Sequence, residues 1–306
     1  MEGYRKKPLR GAIILLSATA VWGLSFVAQS EAMDFLEPIT FNGIRILLGG
    51  LALIPVIFLF RRFDPAFRNL SPEQMRKRNR SSILGGMVCG VFMCAAATLQ
   101  QYGIAMTSAG KSGFLTALYI VLVPVFGILF KRRIRWISAV CVAMALLGFY
   151  FLSVQADFSI APGDLILVLC ALMFAFQILF IDHFWEKGVD GVMMCCVEFL
   201  TAGVILLPLM FLFEHPAWEN ILAARGSILY AGLLSGAVGY TLQILGQRDV
   251  EPTAASLLMS LESVFAVLFG WLLLGERLSA RELLGCALVF AAVILSQVPV
   301  GEGQKR

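Results

Sequence analysis

The chain has 306 residues, of which 59% are hydrophobic and only 14% charged, and its mean hydropathy is +0.85. This composition indicates an integral membrane protein and leaves no segment for a separate soluble domain. The net charge of +4 is interpreted as a signal of membrane topology, and we expect no nucleic-acid partner, because basic loops beside an anionic leaflet account for it.

Apolar runs between polar interruptions predict ten membrane-spanning helices, since about 20 residues rising about 1.5 Å each cross about 30 Å of hydrocarbon. The first run follows a basic N-terminus without a cleavage site of small residues, so we interpret it as a retained span and not as a signal peptide. The predicted spans are 11 to 31, 36 to 60, 83 to 105, 109 to 130, 136 to 154, 163 to 182, 191 to 213, 226 to 247, 252 to 274 and 281 to 299.

Two internal recurrences divide the chain into halves. The segment Phe41–Phe60 recurs without a gap as Met194–Phe213, 153 positions later, and Thr98–Gly103 recurs as Thr241–Gly246, 143 positions later. We therefore assign a first repeat to residues 1–154 and a second to residues 155–306, with five helices each. Because five is odd, the predicted fold is an all-α membrane protein of two inverted-topology five-helix repeats.

Basic residues predict the orientation in the membrane. They are concentrated on one face of the predicted topology, whereas the opposite face has few, so the positive-inside rule places both termini in the cytoplasm of a multi-pass cell-membrane protein. The basic residues of the cytoplasmic face are Arg5, Lys6, Lys7, Arg10, Arg61, Arg62, Arg68, Arg76, Lys77, Arg78, Arg80, Lys131, Arg132, Arg133, Arg135, Lys187, Arg248, Lys305 and Arg306. The opposite face holds Lys111, Arg225, Arg277 and Arg281.

Three ionisable residues stand out deep within predicted spans, where a charge is costly and usually faces a bundle interior or a wet cavity. Arg45 and Glu198 occupy matching positions of the two repeats with opposite charge. Glu262 lies near the midplane, and its counterpart in the fourth helix is Tyr119. Each of the three charges either holds helices together or takes part in transport, and the sequence leaves both interpretations open.

Polar residues at helical spacing predict hydrogen-bonding stripes on three helices. Such residues often pack membrane helices together, but Gln100 and Gln243 occupy matching positions, which favours a symmetric polar cavity between the repeats. The stripes are Trp22, Ser25 and Gln29 in the first helix, Gln243 and Gln247 in the eighth, and Ser256, Ser260 and Ser263 in the ninth.

Motifs of soluble enzymes are missing from the sequence: there is no phosphate-binding glycine loop, nucleophile elbow or metal-binding histidine pair. All seven cysteines lie in predicted spans and are interpreted as packing residues. We expect neither a cofactor nor a metal. An ion channel and a membrane-embedded enzyme remain the alternatives to a transporter, although the scattered carboxylates argue against the enzyme.

Four segments resemble the drug/metabolite transporter superfamily, specifically its ten-helix EamA-type members. They are VWGLSFVAQ in the first helix, Arg45 in the second, TSAGKSGFLTALYIVLVPVFG before and within the fourth, and EPTAASLLMSLESVFAVLFGWLLLGERLS from the ninth onwards. The resemblance covers nearly the whole chain. The family typically has Glu-Pro in the ninth helix, so Glu262-Ser263 predicts the loss of a kink there.

The resemblance implies a secondary transporter, often an exporter, of small organic metabolites such as amino acids or drug-like amphiphiles. Such a carrier works by alternating access in the lipid bilayer; protons are the candidate coupling ion, and both monomer and homodimer stay open. The implied cavity lies between helices one, three, four, six, eight and nine, so Arg45 and Glu198 are expected to serve gating or packing. The substrate-binding residues that it implies are Trp22, Ser25, Gln29, Gln100, Lys111, Tyr119, Gln177, Gln243 and Glu262.

Overall fold

A computed structural model of the chain describes residues 7–63, 67, 70–128, 136–153, 161–259 and 261–296. The regular structure in these residues is helical. The α-helices are α1 Pro8–Ala32, α2 Pro38–Phe63, α3 Pro72–Ile104, α4 Ala109–Thr116, α5 Tyr119–Gly127, α6 Trp136–Ser153, α7 Pro162–Glu186, α8 Gly191–Phe213, α9 Trp218–Ala223, α10 Arg225–Leu229, α11 Thr241–Gln247, α12 Pro252–Met259, α13 Glu262–Phe269 and α14 Ala280–Ser296. Two π-helical segments, Tyr230–Tyr240 and Gly270–Leu274, continue α10 and α13.

Six helical stretches in the described residues are long and apolar enough to cross a membrane. They are Pro8–Ala32, Pro38–Phe63, Pro72–Ile104, Pro162–Glu186, Gly191–Phe213 and Arg225–Gln247, and each coincides with a predicted span. The chain is therefore an all-helical integral membrane protein. The other four predicted spans contain shorter helices: α6 and α14 are one helix each, whereas the spans 109–130 and 252–274 are both interrupted.

Helices α2 and α8, which carry the 20-residue recurrence, pack directly against each other. A Cβ atom at Gly50 would lie 3.0 Å from Leu200, and one at Gly203 would lie 3.1 Å from the Cα atom of Leu47. In the recurrence Gly50 matches Gly203 and Leu47 matches Leu200. The two contacts are therefore equivalent: the glycine of each helix packs against the matching leucine of the other helix. The small residues let the two backbones approach closely, which is how membrane helices gain packing energy.

Polar contacts at both ends fix α2 and α8 as an antiparallel pair. Arg61, near the end of α2, forms an ion pair of 2.8 Å with Asp190, which caps the start of α8. At the opposite end the Glu214 carboxylate, just after α8, accepts hydrogen bonds from the backbone N–H groups of Ile39 and Thr40 at 2.8 and 2.6 Å. We call the end with residues 33–37 the α1–α2 end, and the end where Ser71 caps α3 the α2–α3 end.

The two interrupted spans break at matching positions. Helix α4 ends at Thr116 and α5 begins at Tyr119, whereas α12 ends at Met259 and α13 begins at Glu262, 143 positions later. The break residues, Leu118 and Leu261, have nearly the same backbone angles, with φ/ψ of −59/−13° and −62/−12°.

Each break is a tight turn. The Leu118 N–H bonds to the Leu115 carbonyl at 3.2 Å and the Leu261 N–H to the Leu258 carbonyl at 3.3 Å, so both bonds span three residues instead of four. The ninth span is therefore interrupted without a proline at residue 263, and the predicted loss of a kink there is wrong.

The segment Gly275–Leu278 closes the α1–α2 end. Gly275 has a φ of +68°, a left-handed conformation that glycine adopts without strain, and it ends the second π-helical segment. The next residue, Glu276, turns its carboxylate onto the start of α4, where it accepts hydrogen bonds from the N–H groups of Ala109 at 2.9 Å and Gly110 at 3.1 Å. This contact joins the ends of the two broken spans.

Candidate functional site

One cavity lies among the interrupted helices, and side chains from both halves of the chain line it. Its volume is about 40 Å³. A solute larger than a few water molecules therefore requires its walls to move. The lining residues are Trp22, Ser25, Phe26, Gln29, Arg45, Gln100, Thr116, Tyr119, Phe174, Gln177, Ile178, Ser235, Tyr240, Gln243, Met259 and Glu262.

The structure brings together eight of the nine residues expected to bind substrate: Trp22, Ser25, Gln29, Gln100, Tyr119, Gln177, Gln243 and Glu262. Lys111 lies outside the cavity, where its Nζ forms an ion pair of 2.8 Å with the fully buried Asp164 at the start of α7. Of the two residues expected to serve gating or packing, Arg45 lines the cavity and Glu198 does not. Ser260, from the predicted stripe of the ninth helix, lies outside the described residues.

Amide side chains give the cavity its polar surface. Gln29 donates to the Ser25 carbonyl at 3.1 Å, and Gln100 donates to the Thr116 hydroxyl at 3.3 Å. The side-chain oxygens of Gln29, Gln177 and Gln243 are buried and have no hydrogen-bond partner in the protein. Buried acceptors without a partner are costly, so these three oxygens favour a ligand that brings hydrogen-bond donors.

A hydrogen bond between the two halves crosses the cavity at the helix breaks. The Tyr119 hydroxyl donates to the Glu262 carboxylate at 3.2 Å, and each residue begins the helix that follows a break. Tyr119 is 4% exposed and Glu262 6%, so the bond lies inside the bundle.

Behind one wall of the cavity lies a second buried carboxylate. Glu198 is fully buried and accepts a hydrogen bond from the Gln177 amide, which itself faces the cavity. The other Glu198 oxygen has no partner in the protein. Gln177 therefore connects the cavity lining to this carboxylate.

The π-helical segment Tyr230–Tyr240 forms a wall that sequence patterns did not reveal. Trp22 donates through Nε1 to the Ser235 carbonyl at 3.1 Å, and its ring centroid lies 5.0 Å from that of Tyr240. Ser235 and Tyr240 line the cavity, although neither belongs to a predicted stripe. Both residues belong to the π-helical segment, a rare geometry often found at functional sites.

Nothing in the described residues favours metal or thiol chemistry. No group of three or more His, Cys, Asp or Glu residues in that part of the chain is placed to hold a metal ion. The seven cysteines are free thiols, six buried and Cys286 partly exposed. Burial in the helix interfaces is what the packing interpretation of these cysteines predicts.

Comparison with known proteins identifies the class. The EamA-like transporter family matches residues 9–154 and again residues 161–297, so the chain belongs to this family and is a multi-pass membrane transporter. Its substrate is accordingly a small molecule, and its environment is a lipid bilayer.

Relatives and one solved structure extend along nearly the whole chain. An uncharacterized transporter of Archaeoglobus fulgidus is 27% identical over 96% of this chain and 88% of its own length. The uncharacterized inner membrane transporter YedA of Escherichia coli is 25% identical over 94% of this chain and 90% of its own. A protein of known crystal structure superposes with a TM-score of 0.67 at 17% identity, covering 95% of this chain and 97% of that one, and so shares its fold.

Proposed function

We propose that the protein is a secondary transporter that exports small organic metabolites, such as amino acids or drug-like amphiphiles, across the cytoplasmic membrane by alternating access. The observation that carries the proposal is the cavity: both halves of the chain enclose it, and two spans break beside it at matching positions. Broken helices around a site near the midplane are the arrangement that alternating access uses.

The proposal includes ten helices arranged as two inverted five-helix repeats, with both termini in the cytoplasm. Three observations support it: the family matches each half separately, α2 and α8 run antiparallel although they carry the same recurrence, and the helix breaks coincide at an offset of 143 residues. If the two repeats have opposite orientations, each repeat can tilt against the other around a fixed site.

An ion channel and a membrane-embedded enzyme fit the geometry less well. A channel needs a continuous polar path, whereas Leu15 in α1 and Ile244 in α11, outside the cavity lining, are fully buried apolar residues. An enzyme needs acid, base or metal ligands gathered around a reacting atom. In the part of the chain that the structure describes, the cavity lining contains a single carboxylate, that of Glu262.

Glu262 is the proposed site of proton coupling. It is the carboxylate of the cavity, and its Tyr119 partner belongs to the other half of the chain. Proton uptake and release at this position would change the bond that holds the two breaks together, and so would link proton flow to the state of the cavity.

Flux measurements test the transport proposal. The purified protein is reconstituted into liposomes loaded with the metabolite that raises its melting temperature most in a thermal-shift screen. We expect saturable flux, and we expect Gln100→Leu and Gln243→Leu each to raise KM by about tenfold, because each removes a hydrogen-bonding amide from the cavity.

Gln101→Leu is the matched control. Gln101 neighbours Gln100 but is fully buried outside the cavity lining and donates to the Gln29 carbonyl at 3.1 Å. Its loss should lower thermal stability and leave KM nearly unchanged. Flux that does not saturate would favour a channel, and an unchanged KM in both cavity variants would remove Gln100 and Gln243 from the site.

A further inference from the structure

Arg45 is a buried cation that faces the cavity without an acidic partner. Its side chain is 3% exposed and belongs to the cavity lining. No Asp or Glu oxygen of the described residues lies within ion-pair distance of it, whereas Arg61, on the same helix, is paired with Asp190. A guanidinium buried in a membrane protein without a neighbouring counter-charge is costly, so an anionic group in contact with Arg45 would lower that cost.

Neighbouring groups hold Arg45 in place without neutralising it. Its Nε donates to the Asn42 side-chain oxygen at 2.7 Å, and Asn42 in turn donates to the Ala97 carbonyl at 2.8 Å. The Cζ atom lies 5.5 Å from the centre of the Phe41 ring. The hydrogen bond to Asn42 uses Nε, and a guanidinium presents its two terminal nitrogens to a carboxylate as a fork.

The rest of the lining offers the opposite polarity. Glu262 contributes a carboxylate, and Gln29 and Gln243 contribute side-chain oxygens without partners in the protein. Among the described residues, Arg45 is the one basic residue of the lining. A molecule with one anionic and one cationic group would therefore satisfy both sides of the cavity, whereas a multiply charged anion would find a single positive charge.

We propose that Arg45 is the anion-binding residue of the transport site and that the substrate is a small zwitterion whose carboxylate it binds. This inference rests on the proposed function, since it specifies the substrate of the same cavity. It also reverses the expectation from the sequence, which gave Arg45 a role in gating or packing. The ammonium group of the substrate lies towards Glu262 and the amide oxygens in this arrangement.

Thermal-shift binding measurements on the purified full chain test the inference with matched probes. The probes are the standard amino acids and, for each, the amino acid amide, which keeps the side chain and the amine but lacks the carboxylate. We expect at least one amino acid to stabilise the protein, and its amide to bind at least tenfold more weakly, because charged hydrogen bonds to Arg45 are lost.

Three variants assign the effect to Arg45. Arg45→Gln should bind the stabilising amino acid at least tenfold more weakly and should no longer distinguish it from its amide. Arg45→Lys retains the charge and should restore part of the difference, which a purely structural role would not predict. Arg61→Gln is the matched control, an arginine of the same helix outside the cavity lining, and should retain the native preference for the carboxylate.

The outcomes separate this inference from the proposed function. Stabilisation by no amino acid, equal stabilisation by the amides, or native discrimination in Arg45→Gln would each overturn the role of Arg45. If the protein transports an uncharged or cationic solute and Arg45→Gln does not change that flux, the proposed transport function stands and the anion site is refuted. If carboxylates bind in a way that depends on Arg45 but no flux is measured in liposomes, the anion site stands and the transport function is refuted.

Discussion

Replacing Glu276 by glutamine should weaken the closure of the α1–α2 end. The carboxylate accepts two backbone hydrogen bonds, from Ala109 at 2.9 Å and Gly110 at 3.1 Å, and these N–H groups start α4, where the helix dipole favours a negative charge. Glutamine keeps one neutral acceptor oxygen and loses the second hydrogen bond and the charge. Since a hydrogen bond to a charged group contributes about 1.5–3 kcal/mol and Glu276 is only partly buried, we expect a loss of about 1–3 kcal/mol.

This loss should appear in stability and in access to the cavity. The contact joins Glu276, which follows the second broken span, to the start of α4 in the first broken span. It therefore exists only while these two ends are close together. A loss of about 1.4 kcal/mol changes the ratio of open to closed states about tenfold. A cysteine at Thr116, in a background without native cysteines, should therefore react about tenfold faster with a water-soluble thiol reagent in Glu276→Gln.

The melting temperature of the purified variant provides the second measurement, and it should fall by a few degrees. Glu219→Gln is the matched control, because Glu219 is an exposed carboxylate at the same end of the bundle and should change neither quantity. Equal labelling rates and equal melting temperatures in Glu276→Gln and the native protein would show that this contact does not hold the α1–α2 end closed.

Three further predictions follow from the topology, the packing and the cavity. Single cysteines at Lys77 and Asn220, both exposed, should react with an impermeant reagent from intact cells only at Asn220, and labelling of Lys77→Cys would reverse the orientation. Gly50→Val should cost about 1–3 kcal/mol in thermal unfolding, because its Cβ would already lie against Leu200, and an unchanged melting temperature would contradict the α2–α8 packing. Glu262→Gln should still exchange substrate in liposomes but should not respond to an imposed pH gradient, and a native response would exclude it from coupling.

Length and hydropathy alone predicted the helical membrane fold, because the thickness of hydrocarbon dictates the length of an apolar span. The helix breaks could not be predicted in this way. Leu118 and Leu261 are apolar residues in apolar surroundings. No proline or glycine marks the turns in which the backbone hydrogen bonds span three residues instead of four. The expectation of an unkinked ninth helix failed for the same reason, since it treated a proline as the cause of the bend.

For the site, polar residues within apolar spans were the informative signal, because the cost of burying them restricts where they can lie. Arg45 was placed outside the cavity since its helix is not among those that the family resemblance implied. The π-helical segment explains the difference: a Cβ atom at Gly232 would lie 2.8 Å from the Arg45 carbonyl, so α2 and this segment are in close contact beside the cavity. A π-helix has no sequence pattern that distinguishes it from an α-helix, which is also why Ser235 and Tyr240 were missed.

The position of the cavity follows from the contacts between matching residues. In two repeats related by a pseudo-twofold axis, as we propose, a residue touches its own counterpart only where the axis passes. Tyr119 and Glu262 are counterparts and are hydrogen-bonded to each other, which places the axis at the cavity. The charges nevertheless break this symmetry, because Arg45 faces the cavity while its counterpart Glu198 lies behind Gln177. In the transport mechanism that we propose, the symmetric scaffold would present its site to both sides of the membrane in turn, and the unequal charges would give the bound molecule one preferred orientation.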